Sequence, residues 1–581
     1  MRSRRRWIVW VLLAVVFLIT FSAAGVYLLL RALELAPPEV SAGSTLHFDV
    51  AGDLPEDSLY KLGGLFFGVE RVTFRSALDS IAQAGDDSRI ENLLLHLRGA
   101  EFGWAKADEL RAALQEFKSS GKPLVAFIEQ GGNLDYFLAL AADAVYLHPQ
   151  GVLDLRGLQA EVTFLKSTLD KLGIEAEFEQ IGAYKNAPDV FTRETLSSSH
   201  REVLEAIVGD LYARFVAFIA GKRNLTTAQV RELLDRGPFP ARDAHEAGLV
   251  DGLSYRDEVE DSLTGEGREF EDVTVARYQS VGPARRRLGR RRMALIYGVG
   301  IIVGGESDDD AFFGRVMGSD TIARAFRDAR EDDSIEAVVF RIDSPGGSDV
   351  ASDVIWREAK LTMEKKPVVV SMSDVAASGG YWIATASHAI VAEPNTLTGS
   401  IGIYGGKFNL KGFYEKIGFN KERVLEGESA DFWSDTRSFT PEERARYRRM
   451  LEEGYRRFIQ KVAEARDKAP EDIDALGQGR VWTGAQALER GLVDELGGLG
   501  RALSLAKEKA GIGEDVDVVL KVYPEKKSVF EVLLRKIVHG APEMMGWEPW
   551  ELKQLASRSA VFRLLMEGKR LAIMPYQVRF H

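Results

Sequence analysis

The chain has 581 residues, too many for a single hydrophobic core, so two or more domains are expected. Its formal net charge of -12 argues against a general nucleic-acid binder. The absence of cysteine excludes disulfides, thiolate catalysis and cysteine-ligated metal.

At the N-terminus, Arg2, Arg4, Arg5 and Arg6 precede an uncharged apolar run from Trp7 to Leu30. As a helix this run spans about 36 Å, enough for a hydrocarbon core of roughly 30 Å with some tilt. The basic cluster is expected to stay cytoplasmic, placing everything after Arg31 across the membrane. A cleaved signal peptide is the competing reading, since Ser22-Ala23-Ala24 offers small residues. The continuation through Val26–Leu30 is long for such a segment and favours a retained anchor.

The rest of the chain is duplicated. Pairing Ile90 with Ile335 sets an offset that reads without a gap for some ninety residues, matching Tyr136 with Tyr381, Pro149 with Pro394 and Gly173 with Gly418. Ala247-Gly248-Leu249-Val250-Asp251 then matches Arg490-Gly491-Leu492-Val493-Asp494 with a shift of two. Such a period is far above those of solenoid repeats and indicates two copies of a domain. In the first copy, strands are predicted over Ser44–Val50, Asn92–Leu97, Pro123–Ile128 and Ala144–Leu147, then helices from His200 to Arg236. In the second, strands are predicted over Ala294–Val299, Ala337–Ile342, Pro367–Met372 and Ala389–Ala392, with helices near Thr321–Ala329, Val350–Met363 and Thr440–Ala465. Short apolar strands alternating with helical periodicity predict an α/β fold with a largely parallel sheet in each copy. The expected divisions are an anchor at 1–35, a first domain at 40–264, a basic linker at 265–292, a second domain at 293–512 and an extension at 513–581. The arginine run Arg285–Arg292 is read as a solvated linker, since it lacks aromatic interleaving. In the extension, Val529–Val538 reads as amphipathic and Met544-Met545-Gly546-Trp547 as apolar, compatible with core packing, oligomer contact or membrane contact.

Chemistry concentrates where the copies differ. A strand leads into Ala377-Ser378-Gly379-Gly380, whose small residues permit a sharp turn and close approach of a substrate to Ser378. An N-cap serine is the plainer alternative. The first copy has Asn133 at that position, and has Glu101-Phe102 where the second has Gly346-Gly347 in Asp343-Ser344-Pro345-Gly346-Gly347-Ser348. Such a glycine loop can turn amides toward a substrate oxyanion, although Ser-Pro-Gly-Gly also makes a good plain turn. Conversely, Lys185 of the first copy faces Ala430 of the second. Complementary loss of this kind suggests one site divided between two halves. His388, the only second-copy histidine before the tail, falls in a connecting turn opposite Asp143 and is read as structural. Lys185 can serve as a base if a dry pocket lowers its pKa from about 10.4.

Asp343-Ser344-Pro345-Gly346-Gly347, Ala377-Ser378-Gly379-Gly380-Tyr381-Trp382, Leu397-Thr398-Gly399-Ser400-Ile401-Gly402 and Tyr184-Lys185 together resemble the signal peptide peptidase A (protease IV) family, in its long, duplicated, membrane-anchored bacterial form. The resemblance covers nearly the whole chain. It implies two tandem Clp protease/crotonase-like domains and a serine–lysine dyad, with Ser378 as nucleophile, Lys185 as general base and Ser400 orienting the lysine. It also implies an oxyanion hole at Gly346 and Gly347, with Gly379 beside the nucleophile, and no metal or cofactor. By the same resemblance the expected substrates are signal peptides, the assembly a homotetramer, and the location the inner membrane with its domains on the periplasmic side. A crotonase-type acyl-CoA enzyme and a non-catalytic membrane scaffold are the alternatives.

Overall fold

The computed structural model of the protein describes residues 40–57, 60–61, 72–264, 268–281, 291–310, 314–525, 527–528 and 571–574, with Phe21 and Gly25. The predicted anchor therefore lies outside the described residues apart from those two positions, as do Val529–Val538 and Met544–Trp547. Among the described residues no helix is long and apolar enough to cross a membrane.

Each repeat is built on a largely parallel sheet. In the first, the strand order is Gly252–Leu253, Ala144–Leu147, Leu124–Ile128, Ile90–Ala100, Ser44–Gly52 and Asp272–Thr274. In the second, the corresponding path is Glu495–Leu496, Ala389–Ala392, Val368–Ala377, Ile335–Ser344, Arg291–Val299 and Val518–Tyr523, and Leu397–Gly399 also pairs with Val368–Ala377 and is followed by Val481–Thr483. The central strands are apolar on both faces because helices cover both, and Leu124–Ile128 is buried throughout. Every strand and helix predicted within the two repeats is present within a few residues, including Ser319–Glu331, Asp349–Met363 and Pro441–Arg466. The two long helices start and stop alike. Ser197 and Thr440 cap the N-termini of Ser198–Arg223 and Pro441–Arg466, and left-handed Asn224 and Asp467 end them.

The sheets extend past the expected domain boundaries. Asp272–Thr274 pairs with Ser44–Gly52 beyond residue 264, and Val518–Tyr523 pairs with Arg291–Val299 beyond residue 512. Arg291 and Arg292, expected in the linker, already belong to a strand. The repeat offset is also not gap-free. Leu93 pairs with Leu124 and Val338 with Val368, so the strand Val368–Ala377 sits one residue earlier than the offset predicts. The helix turn restores it, for Tyr136 and Tyr381 make equivalent hydroxyl bonds to the carbonyls of Leu249 and Leu492.

A third sheet joins the repeats. Its seven strands run Asp308–Asp310, Gly314–Gly318, Ile301–Val303, Gly346–Ser348, Leu571–Ile573, Ile403–Asn409 and Glu175–Ile181. Glu175–Ile181 of the first repeat lies antiparallel to Ile403–Asn409 of the second, with Ile181 opposite Ile403. Ala377, Leu397 and Val481 of the second repeat pack into the hydrophobic core of the first. The two repeats thus bury one another's apolar surface, and the site lies on that seam.

Candidate active site

Ser378 follows the buried strand Val368–Ala377 and precedes the helix Gly379–Ala384, and its backbone stands at φ 56, ψ -114. This conformation is strained for a residue with a Cβ, and strain of this kind persists only where the surroundings enforce it. The Ser378 amide donates to the Gly399 carbonyl at 2.8 Å, and the Trp382 amide to the Ser378 carbonyl at 2.8 Å. The Ser378 side chain caps nothing, so the N-cap alternative does not account for it. In the first repeat the equivalent helix begins at Asn133 after Gly132, and Asn133 is absent from the positive-φ residues. The strained turn belongs to the second repeat alone.

Lys185 reaches this serine from the first repeat of the same chain. The ladder between Glu175–Ile181 and Ile403–Asn409 ends at Ile181, and Gly182 turns the chain at φ +110 against the backbone of Gln478. Lys185 Nζ then lies 2.7 Å from Ser378 Oγ, 2.9 Å from Ser400 Oγ and 2.9 Å from the Ser400 carbonyl oxygen. All three residues are fully buried. Burial alone holds the Lys185 amine well below the usual lysine range, and no charged group offsets it. A neutral amine has two N–H donors and one lone pair. In that form two donors can satisfy the two Ser400 oxygens, leaving the lone pair for the Ser378 hydroxyl proton.

The loop Gly477–Arg480 clamps this arrangement and carries no sequence signal that singled it out. Tyr184 N donates to the Gln478 carbonyl, Gly479 N to the Ile401 carbonyl, and Ser400 N to the Arg480 carbonyl, each at 2.7 Å. The Arg480 guanidinium stacks between Tyr184 and Trp482 and pairs with Glu202 at 2.5 Å. Gly479 has φ +83, and a Cβ there would meet the backbone of Lys185 at 2.5 Å.

The three expected oxyanion glycines differ in geometry. Gly346, at φ +99, donates its amide to Ser344 Oγ at 3.2 Å and is already engaged. Gly347 lies in the strand Gly346–Ser348, where a Cβ would meet the Ile302 carbonyl oxygen at 2.0 Å. Gly379 opens the helix beside Ser378. The strand Leu571–Ile573 lies antiparallel to Gly346–Ser348, pairing Ala572 with Gly347, and Met574 N donates to the Pro345 carbonyl at 2.6 Å. Antiparallel alternation turns the Gly347 amide toward the same neighbour, the strand Leu571–Ile573, while Gly379 lies at the first turn of the helix beside Ser378.

His388 Nδ1 accepts from the Val368 amide at 3.1 Å. Asp143 takes the Leu124 amide at 2.9 Å in the same turn of the first repeat. Val368 begins the ten-residue strand that Ser378 follows, so His388 sits most of ~30 Å away and has a structural role. Among the described residues no cluster of three histidine, aspartate or glutamate side chains could hold a metal ion.

The family model of peptidase family S49 matches residues 116–267 and 360–513, one region in each repeat. The first region holds Lys185, and the second holds Ser378 and Ser400. The chain is 34% identical over 562 residues to Protease 4 of Salmonella typhi, covering 92% of this chain and 89% of that protein. It is 32% identical over 519 residues to Protease 4 of Haemophilus influenzae, covering 84% of this chain and 82% of the relative. It is 36% identical over 452 residues to the chloroplastic serine protease SPPA of Arabidopsis thaliana, covering 76% of this chain and 66% of the relative. The chain therefore belongs to peptidase family S49 and is a serine protease.

Proposed function

We propose that the protein is a membrane-anchored endopeptidase that uses a Ser378–Lys185 dyad to degrade signal peptides released from exported precursors. The observation that carries the dyad is the buried amine of Lys185 held 2.7 Å from Ser378 Oγ with no counter-ion. In this reading the Ser378 hydroxyl donates its proton to Lys185 as Oγ attacks a peptide carbonyl. Ser400 keeps the amine pointed at Ser378, and Lys185 passes the proton to the departing amine. Water then enters by the same route in reverse and releases the acyl group. The amide of Gly379, joined by that of Gly347 once Leu571–Ile573 leaves its edge, receives the tetrahedral oxyanion.

An extended peptide substrate is supported by the edge of Gly346–Ser348, which takes an antiparallel strand, Leu571–Ile573. The basic cluster before Trp7–Leu30 supports a single anchor with both repeats on the periplasmic side of a bacterial inner membrane. A homotetramer and a Clp protease/crotonase-like fold belong to the same proposal. A crotonase-type role is disfavoured because the group that Ser378 Oγ meets is the Lys185 amine rather than a carboxylate.

Labelling with a fluorophosphonate, followed by peptide mapping, tests the nucleophile. Modification at Ser378, with turnover of a quenched signal peptide abolished in both Ser378→Ala and Lys185→Ala, is the expected outcome. Unchanged turnover in either variant rejects the dyad.

A further inference from the structure

A second lysine of the first repeat also enters the second repeat, behind the nucleophile. The two strands that carry the oxyanion loop and Ser378 run in register up to Ile342 opposite Met372. The next pair is Ser344 opposite Ala376, so the nucleophile strand has two residues more than its neighbour over that interval. The extra length bulges out at Ser373-Asp374-Val375, directly before Ala376-Ala377-Ser378. In the first repeat the corresponding strands stop pairing at Leu97 and Ile128, with no such bulge.

Groups from the first repeat surround this bulge. The Asp374 carboxylate accepts the Gly103 amide at 3.0 Å and the Lys106 amide at 2.9 Å, at the start of the helix Trp104–Ser119. The hydroxyl of Ser373 donates to Glu56. Asp343, at the root of the oxyanion loop, accepts the Val375 amide at 3.1 Å. Lys106 Nζ lies 3.4 Å from Asp343 and 3.7 Å from Asp374, with Glu56 at 3.9 Å, and donates to the Leu54 carbonyl. Lys106 is 5% exposed.

We propose that Lys106 is a positioning residue: its ammonium holds Asp343 and Asp374 together and so fixes the spacing between the oxyanion strand and the Ser378 turn. Asp343 and Asp374 are like charges on adjacent strands, and without a cation between them the strands part or one carboxylate must take a proton. Burial lowers the Lys106 pKa, but Asp343, Asp374 and Glu56 together carry it above the usual lysine range, so it stays charged. The first repeat thus supplies two lysines with opposite electrostatic roles. Lys185 is kept neutral for proton transfer, and Lys106 is kept charged for alignment. The inference rests on the assignment of Ser378 as nucleophile.

The test measures the second-order rate of fluorophosphonate labelling at Ser378, with kcat and KM, in full-length Lys106→Met, Lys106→Arg and Gly103→Ala. Gly103→Ala probes the bulge sterically from the other repeat, since a Cβ there would lie 2.2 Å from the Asp374 carboxyl carbon while its backbone at φ -80 tolerates alanine. Misplacement of the serine by about 1 Å predicts a fall in labelling rate and kcat of ~100-fold for Lys106→Met and Gly103→Ala. KM should stay within about twofold, and Lys106→Arg should recover part of the loss, because Lys106 touches Asp343 and Asp374 rather than the Gly346–Ser348 edge proposed to take the peptide. A purely stabilising role would lower the melting temperature and leave the rate per folded molecule unchanged. That result, or a wild-type labelling rate in Gly103→Ala should Lys106→Met fail to fold, overturns the inference. A wild-type protein that takes no label at Ser378 overturns the nucleophile assignment and this inference together.

Discussion

Gly479→Ala isolates the placement of the base from its chemistry. The added Cβ would stand 2.5 Å from Lys185 N and 2.6 Å from its Cα and Cβ. Ordinary carbon contacts need about 3.5 Å, so the Lys185 backbone must retreat by ~1 Å or the Gly477–Arg480 loop must lift by as much. Either movement separates the dyad, because that loop also holds Ser400 through the Arg480 carbonyl and Ile401 through the Gly479 amide. Alanine at φ +83 adds about 1–2 kcal/mol of backbone strain. An Nζ–Oγ distance of 2.7 Å lengthened by ~1 Å is no longer a hydrogen bond, and proton transfer in the transition state loses its partner. A displacement of this size is expected to lower kcat ~100-fold, about 2.7 kcal/mol of transition-state stabilisation, with KM little changed. The assay is steady-state hydrolysis of a quenched peptide, with circular dichroism to confirm folding. Gly209→Ala is the control: it lies within the helix Ser198–Arg223 with nothing within 4 Å of its added Cβ, so wild-type turnover is expected. A folded Gly479→Ala enzyme with wild-type kcat would refute the reasoning.

Further expectations follow from the same geometry. Because burial depresses the Lys185 pKa, the base is neutral from well below 10.5 upward, and kcat/KM should fall only as pH drops through that lowered value. A limb of the pH profile near 10.5 would show that the amine is ordinarily solvated. Ser400→Ala removes one of the two oxygens that orient Nζ but keeps the carbonyl at 2.9 Å, so a partial loss in kcat of roughly 10-fold is expected, smaller than that of Lys185→Ala. Full activity in stopped assays would mean the carbonyl suffices. A chain ending at residue 570 frees the edge of Gly346–Ser348 that Leu571–Ile573 occupies, so KM for a peptide should fall several-fold, and an unchanged KM argues that substrate binds elsewhere.

The strands of both sheets were legible because parallel strands covered on both faces read as short, almost continuous apolar runs. Ser378 and Lys185 were legible for another reason, since each stands where its repeat partner has a residue unable to do the same chemistry. What sequence reasoning missed depends on contacts distant in the chain. Gly479 shows nothing locally beyond a turn, and its meaning comes from Lys185 lying against it across the seam. The strand Glu175–Ile181 has no counterpart in the second repeat, and Ile403–Asn409 has none in the first, so the repeat could not reveal that they pair. Asp272–Thr274 and Val518–Tyr523 are edge strands with polar or half-buried faces, which blurs their period, and the boundaries drawn before them fell short. Gly346 was expected to donate to the oxyanion, but its amide serves the turn itself.

The division of the site between repeats has an electrostatic rationale. A lysine stays neutral only where no carboxylate is near enough to repay its desolvation, whereas the seam between the repeats is rich in buried charge: Arg341 pairs with Glu56 and Glu109, and Lys106 with Asp343 and Asp374. A carboxylate placed against Nζ would return Lys185 to its ammonium form and end the use as a base proposed for it. The chain separates the two requirements along a single strand. Asp374, within Val368–Ala377, meets the charged cluster, and Ser378, just beyond its end, meets the buried amine of Lys185, which has no charged contact. That separation also explains why the lysine arrives from the other repeat. Delivered on Glu175–Ile181 against Ile403–Asn409, it approaches from the side of the third sheet, where the ion pairs of Arg444 with Glu177 and Glu179 and of Arg448 with Glu179 leave Nζ without a charged contact. The folded interface can then be strongly ionic while its catalytic end stays uncharged.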